Sequence, residues 1–525
     1  MQFTSYEFIL FAALSVLLYY ILPRKARPPF LLCISLVFYY FSGWQNLIFI
    51  SVTTVTVYLS ALLIGKNLEA QSAYVKANRD TLSANEKKEY KNAQKKRRTV
   101  WFLLALLLNL AILAVCKYTN FVISNINGII GQGKLSYLDI ILPLGISFYT
   151  FQSIGYLMDV WRGTVKAEKS LWRYALFITF FPQLAQGPIN RYGDLSQTLC
   201  EGAALDKENI RRGLWRVLWG FFKKLVLADR IFIAVSAMIT EPESYRGGYI
   251  LILMLLYTLE LYADFTGGID ITIGVSELFG IRMKENFTRP YFSTSLKDYW
   301  RRWHISMASW FRDYLFYPVS TSKWMQKLTK SCKNRLGPKV GKRIPVYLAS
   351  FIVWFSTGLW HGASWNFIVW GLLNFAVLMI SEELEPLYQR FGKRFKWSES
   401  RGYKVFMMVR TFALICFMNL FDCYATLGQT AGALGSIFLP SAWGKVDLSA
   451  TGFGIADVII VFLGFMLILA VGILQKDGKV SVRDLIGKWN YAIRFALFLS
   501  LLVIVVLFGI YGIGFDSSQF IYTRF

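Results

Sequence analysis

The sequence predicts an all-α, polytopic integral membrane protein of roughly a dozen transmembrane, re-entrant and amphipathic helices, on three observations. Of 525 residues, 55% are hydrophobic and 17% charged, with mean hydropathy +0.42, whereas a soluble domain gives about a quarter of its residues to charge. Apolar runs close to the ~20 residues of a bilayer-crossing helix recur from end to end. The 57 Lys and Arg outnumber the 32 Asp and Glu, and the excess gathers in a few segments, as expected of segments held on the cytoplasmic side. Membrane lipid, not nucleic acid, is the expected surrounding.

In chain order the apolar runs are 6–22, 45–65, 100–115, 346–360, 403–420, 456–474 and 491–512. No Lys or Arg precedes the first, and Arg24, Lys25 and Arg27 follow it. This is not the charge order of a cleaved signal, so the run is expected to stay, with its N-terminus outside, in a bacterial inner membrane. Segment 66–98 reads as a cytoplasmic loop rich in Lys and Arg. Segment 322–344 reads as another, with Lys323, Lys327, Lys330, Lys333, Arg335, Lys339, Lys342 and Arg343 and no acid. Orientation explains both; attraction of an anionic donor such as coenzyme A, or of an acidic carrier protein, is the functional alternative. The stretch 137–320 is harder to thread, because polar clusters interrupt it: QGPINRYGD (186–194), IRRGLWRVLWGFFKKL (210–225) and YADFTGG (262–268). Irregular backbone at membrane depth must face protein or water, so these clusters predict an internal cavity.

Several features carry no chemistry. The six cysteines (33, 116, 200, 332, 416, 423) form no CxxC, so neither a disulfide framework nor a metal site is expected. GIIGQGKL (128–135) has the frame of a phosphate-binding loop, but Leu135 stands where Ser or Thr must meet magnesium. No internal repeat is evident.

The chain has two histidines. His361, in GLWHGASWN, ends a run that leaves the 322–344 segment near Pro345. About fifteen helical residues at ~1.5 Å each carry it past the bilayer midplane, where ionisable groups are rare and usually functional. Packing against a neighbouring helix is the bland alternative. Gly358 and Gly362 leave room for a substrate or another backbone. His304, in WRRWHIS, is expected on the inner side, in a helix over 296–317 whose His304, Met307, Ala308, Phe311 and Leu315 share one face while Asp298 meets Arg302 one turn on. The alternative there is an interfacial helix anchored by Trp300, Trp303 and Trp310. An apolar setting favours the neutral imidazole, which can take the proton of a hydroxyl attacking an acyl donor. Such general-base help is worth about 10²–10⁴ in rate.

At these residues the sequence resembles a known family. YWRRWHISMASWFRDYLFYP (299–318) and FSTGLWHGASWNFIVWGLLN (355–374) look like the two histidine regions of the membrane-bound O-acyltransferases, nearest the bacterial branch that O-acetylates alginate and other exported polysaccharides. PLGISFYTFQSIGYLMDVWRG (143–163), FPQLAQGPINRY (181–192) and YADFTGGIDITIGVSELFGI (262–281) extend the likeness over most of the chain. The resemblance implies helices around a central tunnel, with 1–525 a single membrane domain, 119–382 an acyltransferase core and 403–525 C-terminal helices plus a tail. It implies His361 as the catalytic histidine and His304 as the second family position, placing the donor or polarising its thioester. It implies a cytoplasmic donor, acetyl-CoA or an acyl carrier protein thioester, with no bound cofactor, an acceptor on the far side, and an extracellular SGNH-type partner that decorates the glycan.

Further residues join this reading. Gln186 and Arg191 match a QGPxxR-like family stretch and line the tunnel or fix a re-entrant turn; Trp303 and Trp360 flank the histidines. Asp264 can orient a histidine or pair with an Arg, and Asn366 can face the cavity. The last residues, SSQFIYTRF, place Phe520, Tyr522 and Phe525 in an F-x-Y-x-x-F spacing, which resembles the acyl-relay motif of the teichoic acid D-alanylation system, with Tyr522 as acyl carrier. An aromatic belt is the plain alternative. A phenol with pKa ~10 is a weak nucleophile alone and needs a base such as His361. D-alanyl transfer to teichoic acid is therefore a second reading within the class. A polysaccharide or lipid transporter is the reading outside it, and would not need a lone imidazole. A lipid-linked-sugar glycosyltransferase would want acids in the first outer segment, and 41–45 has none.

Overall fold

A chain without water to satisfy its amides must close its hydrogen bonds within each segment, and the apolar runs accordingly become helices. The computed structural model describes residues 2–131, 133–475 and 481–511, and among them the secondary structure is helical with no strand. Eight helices among them are long and apolar enough to cross a membrane: Trp44–Ala77, Ala84–Ile130, Gly248–Leu278, Lys323–His361, Trp365–Arg394, Arg401–Asp422, Ile455–Leu474 and Tyr491–Phe508. Tyr6–Ile21 is apolar but shorter. Seven of these nine coincide with an expected run over most of its length. The other two, Gly248–Leu278 and Trp365–Arg394, carry acids or a charged end that mask them in the sequence. The chain forms two compact units, residues 1–213 with 275–284, and residues 214–274 with 285–525.

In the first unit the expected basic loop 66–98 is a correction: it is the ends of two antiparallel helices joined by a turn at 78–83. Its Lys, Glu, Gln and Ala are good helix formers, Ser83 and Glu86 form a capping box, and Arg98 reaches Gln71 at 2.8 Å. Arg27 is buried rather than spread on the membrane surface. Its guanidinium donates to the carbonyls of Leu22 (3.0 Å), Tyr20 (3.2 Å) and Ala203. The GIIGQGKL segment begins in the last turn of a helix that ends at Ile130, and the Asn127 side chain holds Leu135 through both backbone groups at 2.8 and 2.9 Å. A phosphate loop needs the opposite order, a helix N-terminus after the glycines.

The second unit contains the two histidines. Its segment Phe222–Ala228 is π-helical, and it lies against Gly248–Leu278 through a glycine contact: a Cβ on Gly220 would sit 2.7 Å from the Gly267 carbonyl oxygen. That approach lets Lys224 reach Asp264 (2.6 Å) and Asp229 (2.8 Å), and lets Lys223 reach Asp270 (2.6 Å). Arg216 adds Asp270 at 2.9 Å and Glu285 at 2.5 Å. Two acids of a helix that looks too acidic to be buried are thus neutralised by cations from an earlier segment.

Lys323–His361 breaks at Gly337, where φ is 82°, so 322–344 is a helical arm rather than a loop, and its Arg343 pairs with Glu383. The helix then packs on Trp365–Arg394 through small residues. A Cβ on Gly358 would lie 2.4 Å from the Phe367 carbonyl oxygen, and one on Gly371 2.4 Å from that of Trp354. Gly358 therefore admits another backbone, not a substrate, and Gly362 admits the Phe367 ring. We expect Gly358→Ala to destabilise by about 1–3 kcal/mol through overpacking and to displace His361. Melting in detergent should show the loss, with Gly432→Ala, whose added methyl meets nothing within 4 Å, as the control that melts like the parent.

Candidate functional site

The continuous helix expected over 296–317 does not form. Leu296–Arg302 ends at an extended Trp303, His304 takes a left-handed conformation with φ 47°, and Ile305–Phe311 starts afresh before a π-helical turn at Arg312–Phe316. A non-glycine residue adopts positive φ only where its surroundings fix it. Here residues 286–288 do so: Thr288 N donates to Arg302 O and Ile305 N to Asn286 O, both at 2.9 Å. His304 therefore does not share a helical face with Met307 and Phe311. The Asp298–Arg302 pair does form, at 3.0 Å.

Asn286 also assigns the His304 tautomer. Ser306 N can only donate, and it donates to Asn286 Oδ1 at 3.0 Å, so that atom is the amide oxygen. His304 Nδ1, 3.3 Å from the same oxygen, then carries the hydrogen. His304 is fully buried, and burial first and the His361 ring second hold it well below the ordinary histidine range. A neutral ring protonated on Nδ1 presents a lone pair at Nε2. It can accept from a thiol or hydroxyl; polarising a thioester carbonyl would require a donor.

His361 is the last residue of its helix, before Gly362 in extended backbone. Its ring lies 5.2 Å from that of Trp360 and 4.6 Å from that of Trp370. Trp360 also lies 6.0 Å from His304. The two histidines thus flank one indole and belong to a single aromatic cluster. Trp303 is buried and stacks on Tyr299 at 5.5 Å, which rules out a role for it as an interfacial anchor. Burial of the His304 imidazole among aromatic rings lowers the local dielectric and favours its uncharged form.

His361 lines a cavity of about 20 Å³, room for about one water molecule. Tyr299, Trp300, Trp303 and Trp370 form its aromatic wall; Asn374, Asn419 and Asp422 are its other polar residues. The two asparagines are engaged: Asn374 accepts from Trp300 Nε1 at 3.0 Å and donates to Trp370 O at 2.9 Å, and Asn419 donates to Thr258 Oγ1 at 3.1 Å. Trp370 Nε1 and Asp422 Oδ1 are buried without a hydrogen-bond partner among the described residues. None of Asn286, Trp370, Asn374, Asn419 and Asp422 was expected. Polar residues inside apolar runs, as in GLLNF and FMNLFDCY, are the trace they leave in the sequence.

The remaining expected residues fall as follows. Asp264 pairs with Lys224. Asn366 is buried and binds the Tyr424 carbonyl and Thr430 Oγ1 (3.3 Å), a helix-to-helix tie outside the cavity wall. Gln186 ends the helix Phe181–Gln186 in the first unit with both amide atoms buried and without a partner among the described residues, and Arg191 precedes the helix Tyr192–Glu201 of that unit. Phe520, Tyr522 and Phe525 lie outside the described residues.

Comparison with known proteins bears on this site. Residues 166–329, which include His304, match the profile of "MBOAT, membrane-bound O-acyltransferase family". Over 398 residues the chain is 34% identical to "Probable alginate O-acetylase AlgI" of Azotobacter vinelandii, covering 73% of this chain and 69% of that protein. It is 31% identical over 320 residues to the peptidoglycan O-acetyltransferase of Helicobacter pylori, 56% of this chain and 57% of that one. It is 33% identical over 282 residues to the teichoic acid D-alanyltransferase of Bacillus subtilis, 52% of this chain and 67% of that one.

Proposed function

This chain belongs to the membrane-bound O-acyltransferase family, and from that premise we propose that it moves an acetyl group from a cytoplasmic thioester, acetyl-CoA or an acyl carrier protein, to the outer face of a bacterial inner membrane, for O-acetylation of a cell-envelope or secreted polysaccharide. The observation that carries the reading is a single one: His361, at the end of a membrane-length helix, lines an aromatic-walled cavity with His304 beside it across Trp360. His361 takes the proton of the attacking hydroxyl, the oxygen bonds to the acyl carbon, and the carbon–sulfur bond breaks. His304 accepts a hydrogen bond through Nε2 and places the donor. The N-terminus faces outward, the chain works with an extracellular SGNH-type acyltransferase, and Tyr522, flanked by Phe520 and Phe525, carries the acyl group in transit.

The relatives named above support acetyl as the group and a polysaccharide as its destination. D-alanyl transfer is the second reading, favoured by the likeness to the Bacillus subtilis protein over two thirds of its length. The test is a labelling experiment on the purified chain in lipid nanodiscs. We expect [¹⁴C]acetyl-CoA to label the chain and mass spectrometry to map the label to Tyr522, with no label in Tyr522→Phe or in His361→Ala. Label from a D-alanyl carrier protein alone would select the second reading, and label elsewhere would remove Tyr522 from the path.

A further inference from the structure

The cavity beside His361 holds a carboxyl group that the mechanism above does not use, and we infer that Asp422 is a second catalytic residue, the acid that delivers a proton to the departing thiolate. The inference rests on the acyl-transfer reading of this site. His361 and Asp422 line one cavity with room for about one water molecule. Its two asparagines, Asn374 and Asn419, are held by hydrogen bonds to Trp300, Trp370 and Thr258, whereas Trp370 Nε1 has no partner among the described residues. Asp422 Oδ1 has no hydrogen-bond partner among the described residues, and no Lys or Arg among them pairs with its carboxyl. The turn that carries it, Leu420–Asp422, is held beneath by Asn366, which binds the carbonyl of Tyr424 two residues on. The carboxyl is placed, yet its Oδ1 meets no hydrogen-bond partner among the described residues.

A charged carboxylate without a cation in a largely apolar wall is costly. The cost falls if His361 and Asp422 hold one proton between them, because the pair is then neutral as imidazole with carboxylic acid or as imidazolium with carboxylate. This arrangement balances the reaction. The acceptor hydroxyl gives its proton to His361, and its oxygen electron pair forms the new bond to the acyl carbon. The carbon–sulfur electron pair leaves with sulfur, which takes the Asp422 proton and departs as thiol. Imidazolium and carboxylate remain, and transfer of one proton across the cavity restores both groups. At no stage does the cavity keep a net charge after thiol leaves.

The test uses the full chain in nanodiscs, with thiol release as acyl passes to the chain's own acceptor as the readout, and two donors, acetyl-CoA and S-(4-nitrophenyl) thioacetate. The aryl thiolate is a stable leaving group and needs no proton. Asp422→Asn is expected to slow thiol release from acetyl-CoA about 100-fold, at the low end of general-acid effects, with KM for the donor changed less than about threefold. With the aryl donor it should run within about fivefold of the parent, which also shows that the variant is folded. His361→Ala should be slow with both donors, and Asp422→Glu should recover acetyl-CoA turnover to within about tenfold. An Asp422→Asn variant that loses both donors equally, loses neither, or is not surpassed by Asp422→Glu overturns the inference. A parent chain that releases no thiol above the His361→Ala background points to a different failure, that of acyl transfer itself.

Discussion

Replacing His361 by alanine is expected to lower acyl transfer by about 10² to 10⁴, the range that a positioned general base supplies. The ring terminates its helix and packs between Trp360 and Trp370. Alanine keeps the helix end and removes the nitrogen that takes the proton; the space it leaves adjoins a cavity that already exists. Folding should therefore survive, which a monodisperse elution profile and a melting midpoint close to the parent would show. His361→Gln, closer in volume and still able to hydrogen-bond, should be as inactive, because an amide does not take up a proton near neutral pH. If either variant keeps more than about a tenth of parental turnover, His361 is not the base.

The largest expected effect on stability is that of Lys224→Met. Lys224 is 2% exposed and meets Asp264, also 2% exposed, at 2.6 Å and Asp229 at 2.8 Å. Removal of one member of a buried ion pair leaves the other charge without compensation and costs about 3–5 kcal/mol. Two carboxylates lose a cation here, so the upper part of that range is expected, seen as a lowered melting midpoint and poor yield from the membrane. Neutralising the whole group, with Lys224→Met, Asp229→Asn and Asp264→Asn together, should recover most of the loss, since the uncompensated charge and not the missing attraction is what destabilises. If the triple variant melts as low as the single one, the network contributes packing rather than charge balance.

The membrane helices are legible in the sequence because hydrocarbon leaves a backbone one solution, and about twenty apolar residues are its signature. Seven such runs appear as helices, and His361 sits at the end of one of them, as expected from the distance to Pro345. Gly248–Leu278 escaped because Glu260, Asp264 and Asp270 depress its hydropathy, and the lysines that neutralise two of them lie on a different segment. The segments 66–98 and 322–344 looked like loops because charge is common in loops, yet Lys, Glu and Gln propagate a helix well beyond the bilayer.

Local pattern alone misplaced His304. Periodicity put it on the face of a long helix, whereas Asn286, eighteen residues earlier, binds Ser306 and the imidazole and holds the chain in a left-handed bend. Asp422, sixty-one residues after His361, comes into its cavity only when the helix Lys323–His361 and the turn Leu420–Asp422 both pack on Trp365–Arg394. Class, membrane setting and the identity of the two imidazoles follow from residue type and spacing, because those depend on transfer to hydrocarbon, an additive property of each segment. The proton-carrying geometry does not, because a tautomer, a buried ion pair and a shared cavity are set by atoms far apart in the chain, and only their packing brings them within the few ångströms over which a hydrogen bond acts.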